Sequence, residues 1–78
     1  MDEGTFNRLS LGERADLLWD KGVFVDSILI NNYLLMLYSV NHQFFELSYD
    51  VKAAGIVWIT HANEYDLEKY LEHIDIAV

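Results

Sequence analysis

Few residues of this chain have the types and spacing that chemistry requires. The three histidines, His42, His61 and His73, show no metal-ligand spacing with supporting residues. The chain contains no cysteine, which excludes disulfides and thiolate metal ligands. No serine lies in a nucleophile elbow, and no glycine-rich phosphate loop is present. We therefore predict no catalytic residue, no metal site and no cofactor.

Two single side chains leave a second interpretation open. Asp26 stands among apolar residues of β type, where a buried carboxylate would be a candidate base. On an edge strand, however, an inward-pointing charge guards against edge-to-edge pairing, and we favour that role. His61 would lie opposite Glu46 if the preceding turn pairs Val51 with Ile56. That pair lacks a nucleophile and a third orienting group, so we expect a surface pair.

An acidic ridge is predicted near the C-terminus of the sequence. Its residues are spaced by about one helical turn and comprise Glu64, Glu68, Glu72 and Asp75. Like charges at this spacing cost a few tenths of a kcal/mol per pair. Ordinary solvation explains such a ridge. The alternative is a surface that receives a basic partner, as in an inhibitor or immunity-type protein.

Length and charge bound the class of protein. With 78 residues, of which 53% are hydrophobic and 14% aromatic, residues 1–78 form one folded domain. The formal net charge of −8 argues against binding to nucleic acid or to an anionic membrane surface. No apolar run approaches the ~20 residues that span a bilayer. The start of the chain is acidic and unlike a secretory signal, so we expect a cytoplasmic protein.

The elements that must position these side chains follow from capping and periodicity. Ser10 and Glu13 form a capping box, and Gly22 follows Lys21 as a stop, which together predict a helix from Leu11 to Lys21. Residues 1–9 carry at most one leading turn, and we expect them to be loosely ordered. Four β segments follow: Val23–Ile30, Tyr33–Val40, Phe44–Val51 and Ile56–His61. Asn63 then caps a closing helix with an apolar stripe.

This order predicts an α+β domain with an N-terminal helix, a four-stranded antiparallel meander and a C-terminal helix. Short turns make consecutive strands antiparallel neighbours. We expect both helices to cover one face of the sheet, giving a two-layer α-β-β-β-β-α arrangement. The alternative is one helix on each face.

The second face of the sheet is apolar whichever register the strands adopt. A three-residue loop pairs Val40 with Phe44 and turns the even-numbered residues of the second strand outward. A two-residue loop turns out the odd-numbered residues instead, namely Tyr33, Leu35, Leu37 and Ser39. Taking the first register, we predict an interface of Leu34, Met36, Tyr38, Val40, Phe44, Val57 and Ile59.

These features favour a non-catalytic protein-interaction module that forms a homodimer through an apolar sheet face or edge, or binds another protein. Small domains without disulfides or metals often gain stability by association. One alternative is a small-molecule-binding protein or small enzyme. Its pocket would lie between sheet and helices, lined by Tyr33, Tyr38, Tyr49 or Trp58. The other is the acidic inhibitor of a basic protein.

Overall fold

The computed structural model describes the backbone of residues 3–75 and the side chains of residues 4–71. Its elements are α1 (Glu3–Asn7), α2 (Leu11–Lys21), β1 (Val23–Ile30), β2 (Tyr33–Val40), β3 (Gln43–Asp50), β4 (Gly55–His61) and α3 (Glu64–Asp75). The strands form one antiparallel sheet in the order β1-β2-β3-β4. The predicted α+β class, with a helix, a four-stranded antiparallel sheet and a C-terminal helix, is confirmed.

Tight turns set the register of the meander. Asn41 and His42 both adopt positive φ, at 49° and 66°, and connect β2 to β3 in two residues. Val40 therefore pairs with Gln43 rather than with Phe44, and β3 begins one residue earlier than predicted. Because side chains alternate between faces, this one-residue difference reverses the faces of β2. The second register considered above is the one the protein adopts.

The first face of the sheet is closed by α1 and α2, and we call it the α1/α2 face. Its buried residues are Phe6, Ala15, Leu18, Tyr38, Val40, Phe45, Leu47 and Ile59. Phe6 of α1 is 0% exposed, and its ring lies 4.5 Å from that of Phe45. The first nine residues were expected to be loosely ordered, but Phe6 is instead a central part of this core. A lone aromatic residue without periodic neighbours gives no pattern that predicts such burial.

Arg14 fixes the two N-terminal helices to the sheet. Its guanidinium donates hydrogen bonds to three carbonyl oxygens: that of Ile59 in β4 at 2.7 Å, and those of Asn7 and Leu9 at 3.1 Å each. The cation also lies over the ring of Phe6, 4.9 Å from its centroid. These bonds satisfy carbonyls at the end of α1 and hold α1 and α2 as one layer.

The opposite face of the sheet carries α3, and we call it the α3 face. Leu35 and Leu37 of β2 are buried there with Ala62 and Tyr70, and Leu67 packs against them. The expectation that both predicted helices cover one face is therefore wrong. The alternative considered above is the one observed: α3 lies on the face opposite α1 and α2, and the domain has three layers. The physical reason is that β2 is apolar on both alternations, so each face needs its own cover.

Bulges displace the pairing in both edge strands. The register of β1 shifts at Val25, between Phe24 and Asp26, and that of β4 shifts at Val57. The β3–β4 turn pairs Asp50 with Gly55, not Val51 with Ile56, and the Val57 bulge adds one residue. Thr60 therefore lies opposite Glu46, and His61 lies opposite Phe45 on the α1/α2 face. The predicted pairing of His61 with Glu46 is wrong. The His61 ring instead meets the Phe45 ring edge-on at 4.9 Å. Within residues 3–75, no helix is long and apolar enough to cross a membrane.

Candidate functional site

The third helix starts directly at the end of β4 and turns onto the α3 face. The amide of Ala62 donates to the carbonyl of Phe44 at 2.9 Å, which extends the strand pairing to the helix start. Asn63 then caps the helix: its Oδ1 accepts from the Asp66 amide at 3.0 Å, and Asp66 Oδ2 accepts from the Asn63 amide at 2.9 Å. The predicted cap at Asn63 is confirmed.

A buried carboxylate fastens α3 to the centre of the sheet. Glu46 of β3 is 2% exposed, and its Oε2 accepts a hydrogen bond from the Tyr70 hydroxyl at 2.7 Å. The Lys69 ammonium lies 2.7 Å from the same oxygen. A buried charge is tolerated only when it is paired and hydrogen-bonded, and α3 supplies both partners. We call Glu46, Lys69 and Tyr70 the clamp.

The electrostatics of the clamp favour the protonated form of the Tyr70 hydroxyl, which donates the hydrogen bond to Glu46. Burial raises the pKa of its hydroxyl well above the ordinary tyrosine value, and the hydrogen bond to Glu46 raises it further. The negative charges of Glu46, Asp26 and Asp66 act in the same direction. The hydroxyl therefore stays protonated and holds the helix. This geometry is that of an attachment point, since among the described side chains both donors that contact the carboxylate, Lys69 and Tyr70, belong to α3.

Part of the α3 face remains open. α3 begins beside β4 and its Leu71 lies with Val25 and Asp26 of β1, so the helix crosses the strands instead of following them. Beyond it lies a depression of about 270 Å³. We call it the open depression, and its lining residues are Ile30, Tyr33, Leu35, Ser48, Val57 and Trp58. The lining is apolar except for Ser48 and the tyrosine hydroxyl.

The free edge of β1 is the most exposed apolar element of the described chain. Val23 and Leu29 are each 66% exposed, and Phe24, Val25 and Ile30 are about half exposed. As the first strand of the sheet, β1 pairs on one side only. The strand has no lysine and no proline to guard it. Its guards are the bulge at Val25 and the charge of Asp26, whose Oδ1 accepts from the Ser27 amide at 2.8 Å.

An aromatic group flanks the same edge on the α1/α2 face. Trp19 and Phe24 each meet the buried ring of Tyr38 edge-on, with centroids 5.7 Å apart in both pairs. Trp19 lies on α2, and more than half of its surface is exposed. Half-exposed aromatic rings held rigidly by a third ring are typical anchors of protein interfaces.

The predicted interface residues do not form one surface. Tyr38, Val40 and Ile59 are buried beneath α1 and α2, with Met36 partly buried beside them. Leu34 shares their face of β2, as the strand register shows. Phe44 packs under α3. Val57 is exposed at the rim of the open depression. The grouping was wrong because it assumed the three-residue loop, which exchanges the two faces of β2.

The other predicted residues are scattered. Glu64 and Glu68 are exposed on α3, while Glu72 and Asp75 belong to the same helix but their side chains lie outside the described residues. His42 is exposed in the β2–β3 turn, and the side chain of His73 lies outside the described residues. Of the four residues proposed to line a pocket, Tyr33 and Trp58 line the open depression. Tyr38 and Tyr49 pack on the opposite face.

The clamp was missed because Glu46 alternates with apolar residues of β3 and was therefore assigned to solvent. One feature of the sequence could have indicated a partner for Glu46: Lys69 is the only lysine or arginine of α3, and it precedes Tyr70 on the apolar stripe of that helix. Among the residues whose side chains are described, no three His, Asp or Glu converge as a metal site. Comparison with protein-family models, curated proteins and solved structures found no match to this chain.

Proposed function

We propose that this protein is a small, non-catalytic interaction module that self-associates by pairing the β1 edges of two copies. The observation that carries the proposal is the edge strand itself, eight residues long and with five large apolar side chains exposed. An exposed apolar edge strand whose unpaired backbone groups face outward is a template for another strand. Pairing two such edges would extend the sheet and cover the exposed side chains.

A second copy suits this edge because antiparallel pairing of a strand with itself is self-complementary about a two-fold axis. The bulge at Val25 twists the first half of β1 away from a straight ladder. The regular half, from Asp26 to Ile30, remains available. With Ile28 on the axis, residues of equal parity face each other, so the apolar faces of both copies match. Because Ile28 is the middle residue of this half, only this register pairs all five of its residues with their counterparts in the other copy.

The aromatic group adds to this edge. Trp19 and Phe24 flank β1 on the α1/α2 face, where two copies would each present them beside the new strand pair. Aromatic residues with little freedom to move dominate the energy of many interfaces. A cysteine-free chain of 78 residues also lacks the covalent devices that stabilise other small domains, which favours association.

The experiment is the molar mass as a function of concentration, measured by sedimentation equilibrium for the unaltered chain and for Leu29→Lys. Leu29 is 66% exposed in the regular half of the edge, so a lysine there should weaken the dimer roughly 30-fold or more. Tyr65→Lys is the matched control, because Tyr65 is 83% exposed on α3 and away from the edge. A chain that stays monomeric at about 1 mM, or equal effects of both variants, would refute the proposal.

Two further functions are supported by single observations only. Tyr33 and Trp58 line a depression that resembles a ligand site, but its volume of about 270 Å³ is small and only Ser48 adds a polar group. Glu64 and Glu68 are exposed and acidic, as a basic partner would require. We also place the protein in the cytoplasm, on the grounds of its sequence alone.

A further inference from the structure

We infer that the open depression of each copy receives Leu71 of α3 from the other copy. This inference rests on the proposed function and deepens it, since it names what fills the depression. In the isolated chain the depression has a floor formed by Leu35, Ser48 and Trp58, but on the β1 side it ends at the free edge. A second chain paired at that edge would add a wall on this side of the depression.

The first step is the placement of the two features on one strand. Leu71 of α3 lies with Val25 and Asp26, and the three residues help to line a cavity of about 200 Å³. Ile30, at the other end of β1, lines the open depression. Both features lie on the α3 face, because Asp26 and Ile30 share one alternation after the bulge. Along the strand they are about 13 Å apart.

The second step is the symmetry of the pairing. The two-fold axis of an antiparallel edge pair stands perpendicular to the sheet, so α3 of both copies lies on the same side of the joined sheet. With Ile28 on the axis, Asp26 of one copy lies opposite Ile30 of the other. Leu71, which lies with Asp26, is then next to the rim of the other copy's depression at Ile30, and the two paired strands are about 4.8 Å apart.

The third step is the chemistry of the two surfaces. Leu71 is 60% exposed and apolar, and it lies with Val25 and Asp26 of the edge strand β1. Ile30, Tyr33 and Val57 on the rim of the depression are each about half exposed. Burial of these side chains against Leu71 removes apolar surface on both copies. It also enlarges a short strand contact toward the ~800 Å² per partner of a stable interface.

Cysteine pairs test this arrangement directly, because the natural chain contains none. Two single variants, Leu71→Cys and Tyr33→Cys, are purified separately, mixed and oxidised mildly. The mixture should form a disulfide-linked heterodimer, whereas each variant alone should form far less, since like positions lie on opposite sides of the axis. Mixing Leu71→Cys with Leu11→Cys, whose site lies on α2, is the control for random encounter.

The two proposals fail differently in this experiment. If sedimentation shows a dimer that Leu29→Lys disrupts but the mixture gives no more cross-link than the control, the proposed function stands and this inference is overturned. Rapid cross-linking of Leu71→Cys to itself would also overturn it. A monomer at all concentrations overturns both.

Tryptophan emission gives a second readout that does not depend on cysteines. Trp19→Phe leaves Trp58, in the open depression, as the only tryptophan, and since Trp19 flanks the proposed interface, sedimentation first establishes the concentration at which this variant dimerises. Its emission should shift to shorter wavelength as the dimer forms, and Leu71→Lys should abolish the shift and weaken the dimer about tenfold. An emission unaffected by dilution, changing only when 8-anilinonaphthalene-1-sulfonate is added, would assign the depression to a small ligand and overturn the inference.

Discussion

The two faces of this sheet are covered in different ways. On the α1/α2 face, Phe6, Phe45 and Ile59 are nearly or fully buried in a continuous apolar core. On the α3 face, one helix crosses the strands and is held by a buried carboxylate. A helix about 10 Å in diameter that crosses strands about 26 Å long must leave part of the face open.

The two faces of the sheet therefore serve different purposes: one supplies stability, and the other leaves a surface for association. The α1/α2 face supplies non-directional burial, in which stability depends on volume and packing. The α3 face relies on directional bonds to Glu46, which fix where the helix sits and leave the rest of that face to another occupant. Stability is therefore expected to reside mainly in the first face, and association beside the second.

The largest expected effect comes from opening the α1/α2 core. Phe45→Ala removes a ring that is 1% exposed and touches Phe6 and His61, so it should lower the free energy of unfolding by about 3–5 kcal/mol. Urea denaturation followed by circular dichroism measures the change.

Leu67→Ala is the corresponding truncation on the α3 face, where Leu67 is only partly buried. We expect it to cost about 1–2 kcal/mol, less than a full core truncation. If the Leu67 variant loses as much stability as the Phe45 variant, the two faces contribute equally and the contrast between them is wrong.

Breaking the clamp is expected to lower stability less than Phe45→Ala does. Lys69→Met leaves Glu46 buried with Tyr70 as its only partner in the clamp. Loss of one partner of a fully buried pair costs about 3–5 kcal/mol, but the Lys69 side chain is 31% exposed, so we expect about 1–3 kcal/mol. Urea denaturation is again the measurement.

The double variant Glu46→Met with Lys69→Met serves as the control. Because both charges are then absent, much of the loss should be recovered. Strictly additive losses in the double variant would show that the charge pair does not hold the helix, and that α3 is attached by its apolar residues alone.

The sequence predicted the elements of this fold better than their contacts. The cap at Ser10, the stop at Gly22 and the short break between the first two strands are local signals, and each lies where it was expected. A Cβ at Gly22 would lie 2.4 Å from the Leu18 carbonyl oxygen, which explains the glycine at the end of α2.

Contacts between distant residues were harder to predict, for physical reasons. Both alternations of β2 are apolar, so hydrophobicity could not decide its register, and one residue in the Asn41-His42 turn reversed the assigned faces. From the alternation of β3, Glu46 was expected to face solvent. No local pattern shows that Lys69 and Tyr70, which follow it by 23 and 24 residues in the sequence, bind its carboxylate. The open depression depends on the path of α3, which only tertiary packing determines.

The smallest expected effect is a change in how the free energy of unfolding depends on alkaline pH, which reports on Tyr70 in the clamp. Burial and the Glu46 hydrogen bond raise the pKa of Tyr70 in the folded protein, whereas in the unfolded chain a tyrosine titrates near pH 10. The stabilisation is therefore complete below about pH 10. Above it the unfolded chain loses a proton that the folded protein keeps, so the free energy of unfolding falls as pH rises.

Tyr70→Phe should lower stability at pH 8 by about 1–2 kcal/mol, because a hydrogen bond to a buried carboxylate is lost. Its free energy of unfolding should then decline less steeply between pH 9 and 11 than that of the unaltered chain. Some decline should remain, since burial also raises the pKa of Tyr38 on the other face. Urea titrations across this range, with Tyr65→Phe as an exposed control on the same helix, measure the slopes. Equal slopes for the Tyr70 variant and the unaltered chain would mean that Tyr70 is not held in the clamp, and that α3 is anchored no differently from the helices of the opposite face.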